Sequence, residues 1–503
     1  MRLVMAMIGS LALTACSTVT EREMLSASAD LVIRNVTVID PQTRTVRADS
    51  DVFVDNGRIV EIADTGSSMR TADQLVPGDD RFLIPGLMDM HTHTSFRPVH
   101  ENSLALLLAN GVTGVREMGS DCMGPPQIFM CIDDMRASQA RIAAGDLIGP
   151  RIFELSSSKV DSNRPDGADE MQSLYRPLTA MDGERSVAYL AGRGVDFLKT
   201  GEEFTPEAFT GFATSAREHG MRFGGHVPPY LSVSEVAGMG MASIEHARDL
   251  PLDCSDYGPV FRAAVRAVIS GDSENWPDRL QTPARARDSF NEARCDAQIA
   301  AMLQSGTYYV PTHLTREMDF RAGEDAYRND PRLSYIIALQ RESWVEDMDR
   351  TVQRMGDMRG DLQDFFRLGL RTTAMAHAAG VPIMAGTDAN DTMVFPGFSL
   401  HDELRHLVAA GLSPMEALRA ATSVPAIYLN RSDEFGGVAV GRMADLVLLE
   451  ADPLADIANT TAIAAVFFGG TYRDRAALDQ ILAGVRASVA AIDEEGLDLG
   501  DDD

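Results

Sequence analysis

The chain has 503 residues, 45% of them hydrophobic, so it is long enough for a large core and more than one structural unit. It carries 45 basic and 74 acidic residues, a formal net charge of −29. This acidity argues against nucleic acid or an anionic membrane surface as a partner, because both are bound through positively charged faces.

Residues 1–16 have the pattern of an export signal. Arg2 precedes an apolar stretch that is too short to span a bilayer, and the run Leu-Thr-Ala-Cys ends this stretch at Cys16. The pattern resembles the bacterial lipoprotein signal, which implies acylation of Cys16; an ordinary cleavable secretion signal is the alternative. Ser17 resembles the signal for outer-membrane sorting in a Gram-negative cell. We therefore expect an exported protein that faces the periplasm and contacts the membrane through lipid alone, with residues 17–29 as a linker.

Four cysteines follow the signal. In an oxidising compartment we expect two disulfides, which sequence order pairs as Cys122 with Cys131 and Cys254 with Cys295. Four cysteines allow three pairings, and free or metal-binding thiols are the alternative.

Both ends of the remaining chain predict antiparallel strands. Apolar and polar residues alternate in ADLVIRNVTVID and DVFVDNGRIVEIA, and an Asn-Gly turn signal lies in the second run. VAVGRMADLVLLE and AAVFFGGTYRD have the same pattern near the other end. We expect one small β-sandwich built from residues 30–80 and 436–475, and a disordered acidic tail over residues 494–503.

Residues 81–435 predict an α/β domain, because short apolar runs alternate with helical patterns that often end at glycine. A (β/α)8 TIM barrel is the economical fold for eight such units. The predicted strands lie near residues 82–90, 112–116, 151–155, 194–199, 222–226, 243–246, 307–312 and 381–387. Residues 251–300 and 314–375 are longer than barrel connections need and predict helical insertions beside the site.

Side chains that bind metals follow several of these apolar runs. They are His91 and His93 after FLIPGLMDM, Lys199 after GVDFL, His226 after MRFGG, His246 after MASIE and Asp388 after VPIMAGT. The carboxyl ends of barrel strands meet at one rim, so we expect these side chains to lie together. Imidazole and carboxylate are ordinary zinc ligands, and manganese, cobalt or iron are alternatives. The pattern predicts a metal-dependent hydrolase.

Lysine usage distinguishes Lys199 from the other basic residues. Among the 45 basic residues only Lys159 and Lys199 are lysines. A buried lysine can lose its proton and react as an amine, which arginine cannot do. Reaction with carbon dioxide would give a carbamate that bridges two metal ions; a buried or ion-paired lysine is the simpler alternative.

Motifs between about residues 30 and 472 resemble the amidohydrolase superfamily, in particular its imidazolonepropionase-like and Xaa-Pro dipeptidase (prolidase)-like branch. They are PGLMDMHTH, GVTGVRE, GVDFLKT, GGHVPPY, SIEHA, AGTDAN, SPMEALRAATSVPAIYL and GRMADLVLLEADPL. Imidazolonepropionase-type sites have one metal and no bridging lysine, so Lys199 favours the two-metal, dipeptidase-like group.

The resemblance implies a site with two divalent metal ions, zinc first. One ion would be held by His91, His93 and Asp388 and the other by His226 and His246, with carbamylated Lys199 between them. Asp388 would take a proton from the attacking hydroxide and pass it to the leaving amine.

The implied reaction is hydrolysis of an amide bond in a small molecule by a metal-bound hydroxide, with Xaa-Pro dipeptides or N-acyl amino acids as substrates. Hydrolysis of a cyclic amide, a lactone or another ester is the alternative, because the attack on the carbonyl is the same. A third hypothesis is a metal-binding lipoprotein without turnover. The sequence is compatible with a homo-oligomer and leaves the exact substrate open.

Three further residues are candidates for substrate contacts. Tyr230 follows His226 by four residues, His313 follows the seventh predicted strand, and Arg116 ends the second. Each has a structural alternative: a packed loop tyrosine, a structural histidine and a structural ion pair near Glu117.

Overall fold

The computed structural model describes residues 28–122 and 128–496. The predicted signal, Cys16 and most of the predicted linker lie outside the described residues, as do the last seven residues of the predicted tail.

The described residues form fifteen strands. In chain order they are β1 Ala29–Asp40, β2 Thr45–Asp55, β3 Arg58–Asp64, β4 Ala72–Pro77, β5 Phe82–Pro85, β6 Leu87–Thr92, β7 Val112–Glu117, β8 Arg151–Leu155, β9 Phe197–Thr200, β10 Arg222–Gly225, β11 Ser243–Glu245, β12 Tyr308–Val310, β13 Leu446–Leu449, β14 Ile463–Phe468 and β15 Thr471–Asp474.

Strands from both chain ends meet in one eight-stranded sheet. Its order is β15-β14-β13-β5-β1-β2-β3, with β4 paired to β1. Antiparallel pairing of β5 with β13, for example Leu83 opposite Leu448, joins the two ends. Asn56 and Gly57 both have positive φ, as the tight turn between β2 and β3 requires. The ends therefore build one unit, as predicted, while the two-layer sandwich stays a prediction.

The seven strands β6 to β12 are parallel and form two ladders, β6-β7-β8 and β9-β10-β11-β12. Single parallel bridges link the ladders at Ser156 with Phe197 and at Val160 with Thr200. Residues 382–389 lie between β12 and β6, because Tyr309 N donates to Pro382 O at 3.0 Å and Asp388 N donates to His91 O at 2.8 Å.

Two predicted strands differ from the structure. The run 82–90 divides at Gly86, and its first half, β5, belongs to the sheet of the chain ends. Residues 381–387 form no regular strand and pair with β12 only through a bridge at Ile383. Isolated bridges connect the two ladders, and the ladders do not form one continuous closed sheet.

Helices cover the connections between the parallel strands and both predicted insertions. The α-helices are His100–Ala109, Ile132–Ala144, Glu170–Tyr175, Ala180–Arg193, Pro206–Glu218, Val233–Gly238, Asp249–Asp253, Tyr257–Ile269, Thr282–Asp288, Glu292–Ser305, His313–Arg321, Asp325–Arg328, Ala338–Met355, Arg359–Ala379, Phe398–Ala409, Pro414–Ala420, Ser423–Tyr428 and Arg475–Glu495. Short 3-10 turns lie at Arg97–Val99, Pro331–Tyr335, Gly356–Met358 and Ile457–Thr461. In the described part of the chain, no helix is both long enough and apolar enough for a membrane span.

The helix Arg475–Glu495 was absent from the sequence prediction. Asp474 caps its N-terminus by accepting from Ala477 N at 2.9 Å. Its apolar face, which includes Leu478, Val485 and Val489, is buried. The helix reaches Glu495, so residues 494 and 495, which were predicted to belong to the disordered tail, are helical.

Both predicted disulfides are confirmed. Cys122 is bonded to Cys131, and Cys254 is bonded to Cys295. The second bond joins the end of the helix Asp249–Asp253 to the helix Glu292–Ser305.

Candidate metal centre and its cavity

His91, His93 and Asp388 form the first half of the candidate centre. Nε2 of His91 lies 3.2 Å from Asp388 Oδ1, and Nε2 of His93 lies 3.0 Å from the same oxygen. Two ligands of a tetrahedral zinc ion, each at about 2.0–2.1 Å, are separated by about 3.3 Å. The spacing and the donor types of these three residues therefore fit one divalent ion.

His226 and His246 form the second half. Their Nε2 atoms face each other at 3.1 Å, which is again the spacing of two ligands on one ion. Nδ1 of His246 lies 2.7 Å from Thr312 Oγ1. Nδ1 of His226 is buried without a hydrogen bond, and its nearest carboxylate oxygen, on Glu202, is 3.5 Å away.

Lys199 contacts the first half directly, since its Nζ lies 3.0 Å from His91 Nε2. The side chain is almost fully buried, and this burial lowers the pKa of Lys199 to about 8. A substantial fraction of the amine is therefore neutral near physiological pH, as a reaction with carbon dioxide requires.

The backbone near the ligands has unusual conformations. His246 and Asp388 both have φ of 68°, a left-handed conformation that is rare outside glycine. Neighbouring strand residues normally point to opposite faces, but the turn at His246 lets both Glu245 and His246 reach the centre. A Cβ on Gly225 would lie 2.7 Å from Thr200 O, so glycine is required where β10 approaches β9.

Burial and neighbouring charges affect the ionisation of His226, His246 and Asp388. Burial lowers the pKa of His226 and of His246 well below the ordinary value. Burial by itself would raise the pKa of Asp388, but His91 and His246 hold it well below its usual range. Neutral imidazole and ionised carboxylate are the forms that bind metals.

A buried ionic chain supports His91, and sequence reasoning missed its central residue. Glu245 accepts at Oε2 from His91 Nδ1 at 2.9 Å, while its Oε1 lies 2.8 Å from Arg116 Nη2. Arg116 also donates to Met90 O at 2.6 Å and to Ser243 Oγ at 3.0 Å. The signal available in the sequence was a carboxylate directly before His246 at the end of a short apolar run.

Arg116 is therefore misplaced in the prediction of substrate contacts. Its side chain is fully buried and is not among the residues that line the cavity, so it orients Glu245. The structural ion pair is the correct alternative, although the partner is Glu245 and not a residue near Glu117.

Tyr230 and His313 are not part of the metal-centre cavity either. Tyr230 packs against Leu252, Phe261 and Phe365, and its hydroxyl is buried without a hydrogen bond. His313 is fully buried, with Nδ1 2.8 Å from Glu403 Oε1 and Nε2 3.1 Å from Thr373 Oγ1. Tyr230 is held by packing against the helical insertions, and His313 is held by Thr373 of the second insertion and by Glu403 of the helix Phe398–Ala409.

A cavity of about 770 Å³ opens beside the centre. His93, Lys199, His226 and Asp388 line it together with a wall from the loops after β7 and β8. The remaining lining residues are Ser95, Met118, Gly119, Cys122, Ile128, Phe129, Ser158, Lys159, Arg176, Asn390 and Asp391. The predicted ligands thus converge at one cavity that can admit a small molecule.

Parts of the sequence are similar to known proteins. Residues 292–472 match the model of the amidohydrolase family. A stretch of 204 residues is 27% identical to the adenine deaminase of Chelativorans sp. (strain BNC1) and covers 35% of this chain and 33% of that protein. A stretch of 94 residues is 36% identical to the dihydroorotase of Carboxydothermus hydrogenoformans and covers 18% of this chain and 21% of that protein. The chain thus spans about a third or less of the length of these curated relatives.

Solved structures share the fold over most of the chain. A Xaa-Pro dipeptidase with bound methionine has a TM-score of 0.61 at 19% identity, covering 88% of this chain and 99% of that one. The bottromycin amidohydrolase has a TM-score of 0.63 at 20% identity, covering 91% and 90%. The chain therefore has an α/β fold that matches amidohydrolase structures.

Proposed function

We propose that this protein hydrolyses an amide bond in a small substrate, a dipeptide of the Xaa-Pro type or an N-acyl amino acid, with two divalent metal ions. The observation that carries the proposal is the convergence of two ligand groups, one around Asp388 and one formed by His226 and His246, at the edge of one cavity. The likeness to a Xaa-Pro dipeptidase supports the dipeptide substrate. We propose further that the parallel strands close as a (β/α)8 barrel whose carboxyl-end rim carries these ligands.

The two groups would each hold one ion. His91, His93 and Asp388 would hold one, and His226 and His246 the other, with a carbamate on Lys199 as the shared ligand. When bound, the ions would supply activation of a water molecule and polarisation of the scissile carbonyl.

Asp388 is the proton carrier of the proposed reaction. Its Oδ1 faces His91 and His93, while its Oδ2 lies 3.6 Å from His246 Nδ1, so one carboxylate adjoins both halves. Its low pKa keeps it ionised before attack, ready to accept the proton of the attacking water. The same proton would then pass to the leaving nitrogen, which departs as a neutral amine.

The curated relatives favour a second candidate, hydrolytic deamination of a purine. Short stretches of the chain resemble adenine deaminases from four organisms at 27% to 41% identity. This reaction also breaks a carbon–nitrogen bond, and it differs from the first candidate in releasing ammonia.

The test is a substrate panel on zinc-loaded protein that begins after Cys16. The panel contains Xaa-Pro and other dipeptides, N-acyl amino acids, adenine, cyclic amides and lactones, with a chelator-treated control. Dipeptide cleavage that the chelator abolishes supports the proposal; ammonia release from adenine supports the second candidate. Opening of cyclic amides or lactones alone would move the function to those bonds, and no turnover would leave a metal-binding protein.

We also propose that the chain is exported and anchored through lipid on Cys16. The two disulfides support export, because such bonds persist in oxidising compartments. Labelling with a radioactive fatty acid should mark the intact chain in bacterial cells and fail to mark Cys16→Ser. Equal labelling of both chains would contradict the anchor.

A further inference from the structure

The two lysines of the whole chain lie on the wall of the same cavity. Lys159 and Lys199 both line the cavity beside the metal centre, although arginine fills every other basic position of the sequence. Lys199 already has a proposed role. Lys159 has none, and a second lysine in this place is a feature of the cavity that needs its own explanation.

Strand pairing places Lys159 next to the segment that bears Lys199. Val160 N donates to Lys199 O at 2.9 Å, and Gly201 N donates to Val160 O at 2.7 Å. The segment after β8 therefore runs parallel to β9 at the height of the ligands. Lys159 is not a residue of a freely moving loop, since its neighbour is tied on both sides.

Arg176 lies on the same wall and is held in place by backbone carbonyls. Its Nη1 donates to Lys159 O at 2.7 Å and to Tyr175 O at 3.2 Å. Its Nε and Nη2 have no hydrogen-bond partner among the described residues. The guanidinium thus has a fixed orientation and donors left over for a ligand.

One carboxylate lies between the two cations. Asp161 is buried, with Oδ2 3.4 Å from Lys159 Nζ and Oδ1 3.5 Å from Arg176 Nη1. Both distances exceed the roughly 2.7–2.9 Å of a charge-assisted hydrogen bond. Two positive charges face one negative charge, so the wall keeps a net positive charge in a protein whose overall charge is −29.

The other carboxylates of the cavity lie on a different segment. Asp388 and Asp391 belong to one turn at the metal ligands, where Asp391 N donates to Asp388 O at 2.7 Å. The cavity therefore has two carboxyl groups on the turn 388–391, and on the wall at 159 and 176 it has two cations that share the single carboxylate of Asp161. A substrate with a negative group would be oriented by this separation.

We propose that Lys159 and Arg176 bind a free carboxylate of the substrate and so select amides that carry one near the scissile bond. The proposal rests on the proposed amide hydrolysis and names the class of substrate: dipeptides and N-acyl amino acids with an unblocked C-terminus. Esters, lactones and C-terminal amides lack the group that this wall recognises.

The kinetic test compares each acid with its C-terminal amide in wild type and Lys159→Gln. For the acids we expect about a tenfold loss of kcat/KM, mainly through a higher KM, and no change for the amides. Lys159→Glu should enlarge the loss for the acids. Arg185→Gln is the matched control, because Arg185 is exposed, lies outside the cavity and pairs only weakly with Glu170. Equal losses for acid and amide would overturn the proposal.

A binding measurement separates this proposal from the proposed reaction. Calorimetry on zinc-loaded protein should show L-proline, which has no amide bond to hydrolyse, binding at least about tenfold more tightly than L-prolinamide, with the difference lost in Lys159→Gln. If wild type hydrolyses no amide but shows this difference, the reaction fails and the carboxylate site stands. If Lys159→Gln still prefers the acid over the amide, the carboxylate binds to the metals and the proposed site is wrong. If wild type does not prefer the acid, the proposed site is wrong as well.

Discussion

The two halves of the metal centre differ in how the protein holds them. His91 is fully buried and linked through Glu245 to Arg116, two side chains that are also fully buried. His226 has about a fifth of its side chain exposed, lines the cavity, and its Nδ1 has no hydrogen bond. His246 has one neutral partner, Thr312.

The difference shows that His91 is the preorganised ligand. Hydrogen bonds to the far nitrogen of a ligand histidine fix its tautomer and ring orientation. His91 receives this support from a buried carboxylate, whereas His226 receives none. We infer that His91 is held rigidly before any metal binds. His226 and His93, which both line the cavity, would adjust when metal and substrate bind.

The largest effect is expected where the two halves join. Lys199→Ala removes the amine that is proposed to bridge them, so activity should fall by at least about a thousandfold and the second metal ion should be lost. Metal analysis alongside turnover checks this. The Lys159→Ala variant is a comparison with the other lysine and should keep both ions; unchanged turnover in Lys199→Ala would contradict the two-metal centre.

The second-largest effect is expected when Glu245, which supports His91, is replaced. Glu245→Gln leaves Arg116 buried without its countercharge, which costs about 3–5 kcal/mol of unfolding free energy, and it should weaken metal binding about 10- to 100-fold. Denaturant unfolding and zinc titration measure the two effects.

Glu403→Gln is the matched control for Glu245→Gln, because Glu403 forms an equally buried pair with His313 outside the centre. It should reduce stability and leave zinc affinity unchanged. If both variants lose zinc equally, the effect is a general loss of structure and not a loss of support for His91.

The amine of Lys199 should make assembly of the centre depend on pH. Burial lowers the pKa of Lys199 to about 8, so the neutral amine that reacts with carbon dioxide is scarce at pH 6 and prevails above pH 8. At a fixed carbon dioxide pressure, the rate of reactivation of metal-free protein by zinc should rise with pH and level off above about 8. A rate that is independent of pH in this range would argue against a carbamate.

The smallest effect is expected in the half formed by His226 and His246. Thr312→Val removes the hydroxyl partner of His246 and should weaken zinc binding about fivefold, the equivalent of about 1 kcal/mol for a neutral hydrogen bond. Thr373→Val, which removes a hydroxyl from His313, should not change zinc affinity. A loss as large as that of Glu245→Gln would remove the distinction between the halves.

Much of the centre could be predicted from the sequence because each ligand stands at a fixed place in a local pattern. His91, Lys199, His226 and His246 each lie at or just beyond the end of a short apolar run, and strand pairing brings such ends together. The strands of the chain ends could also be predicted, since the alternation of apolar and polar residues and the Asn56-Gly57 turn are local signals.

The supporting and substrate-facing residues depended on the tertiary structure. Nothing local distinguishes Arg116, which is buried against Glu245, from Arg176, which faces the cavity, because burial is decided by elements distant in sequence. The predicted substrate contact of Tyr230 was wrong for the same reason. Its position four residues after His226 is a local feature, but packing against the helical insertion sets the direction of its side chain.

The sequence by itself determined which residues could bind metal and where most of the strands lie, because these depend on residue type and spacing. It favoured the cysteine pairing that the structure has, without excluding the other two pairings. The tertiary structure decided which charges are buried in pairs and which face the cavity. The physical reason is that burying an unpaired charge has a high free-energy cost. This cost depends on the neighbours of the charge in the folded protein, and most of these neighbours are distant in sequence.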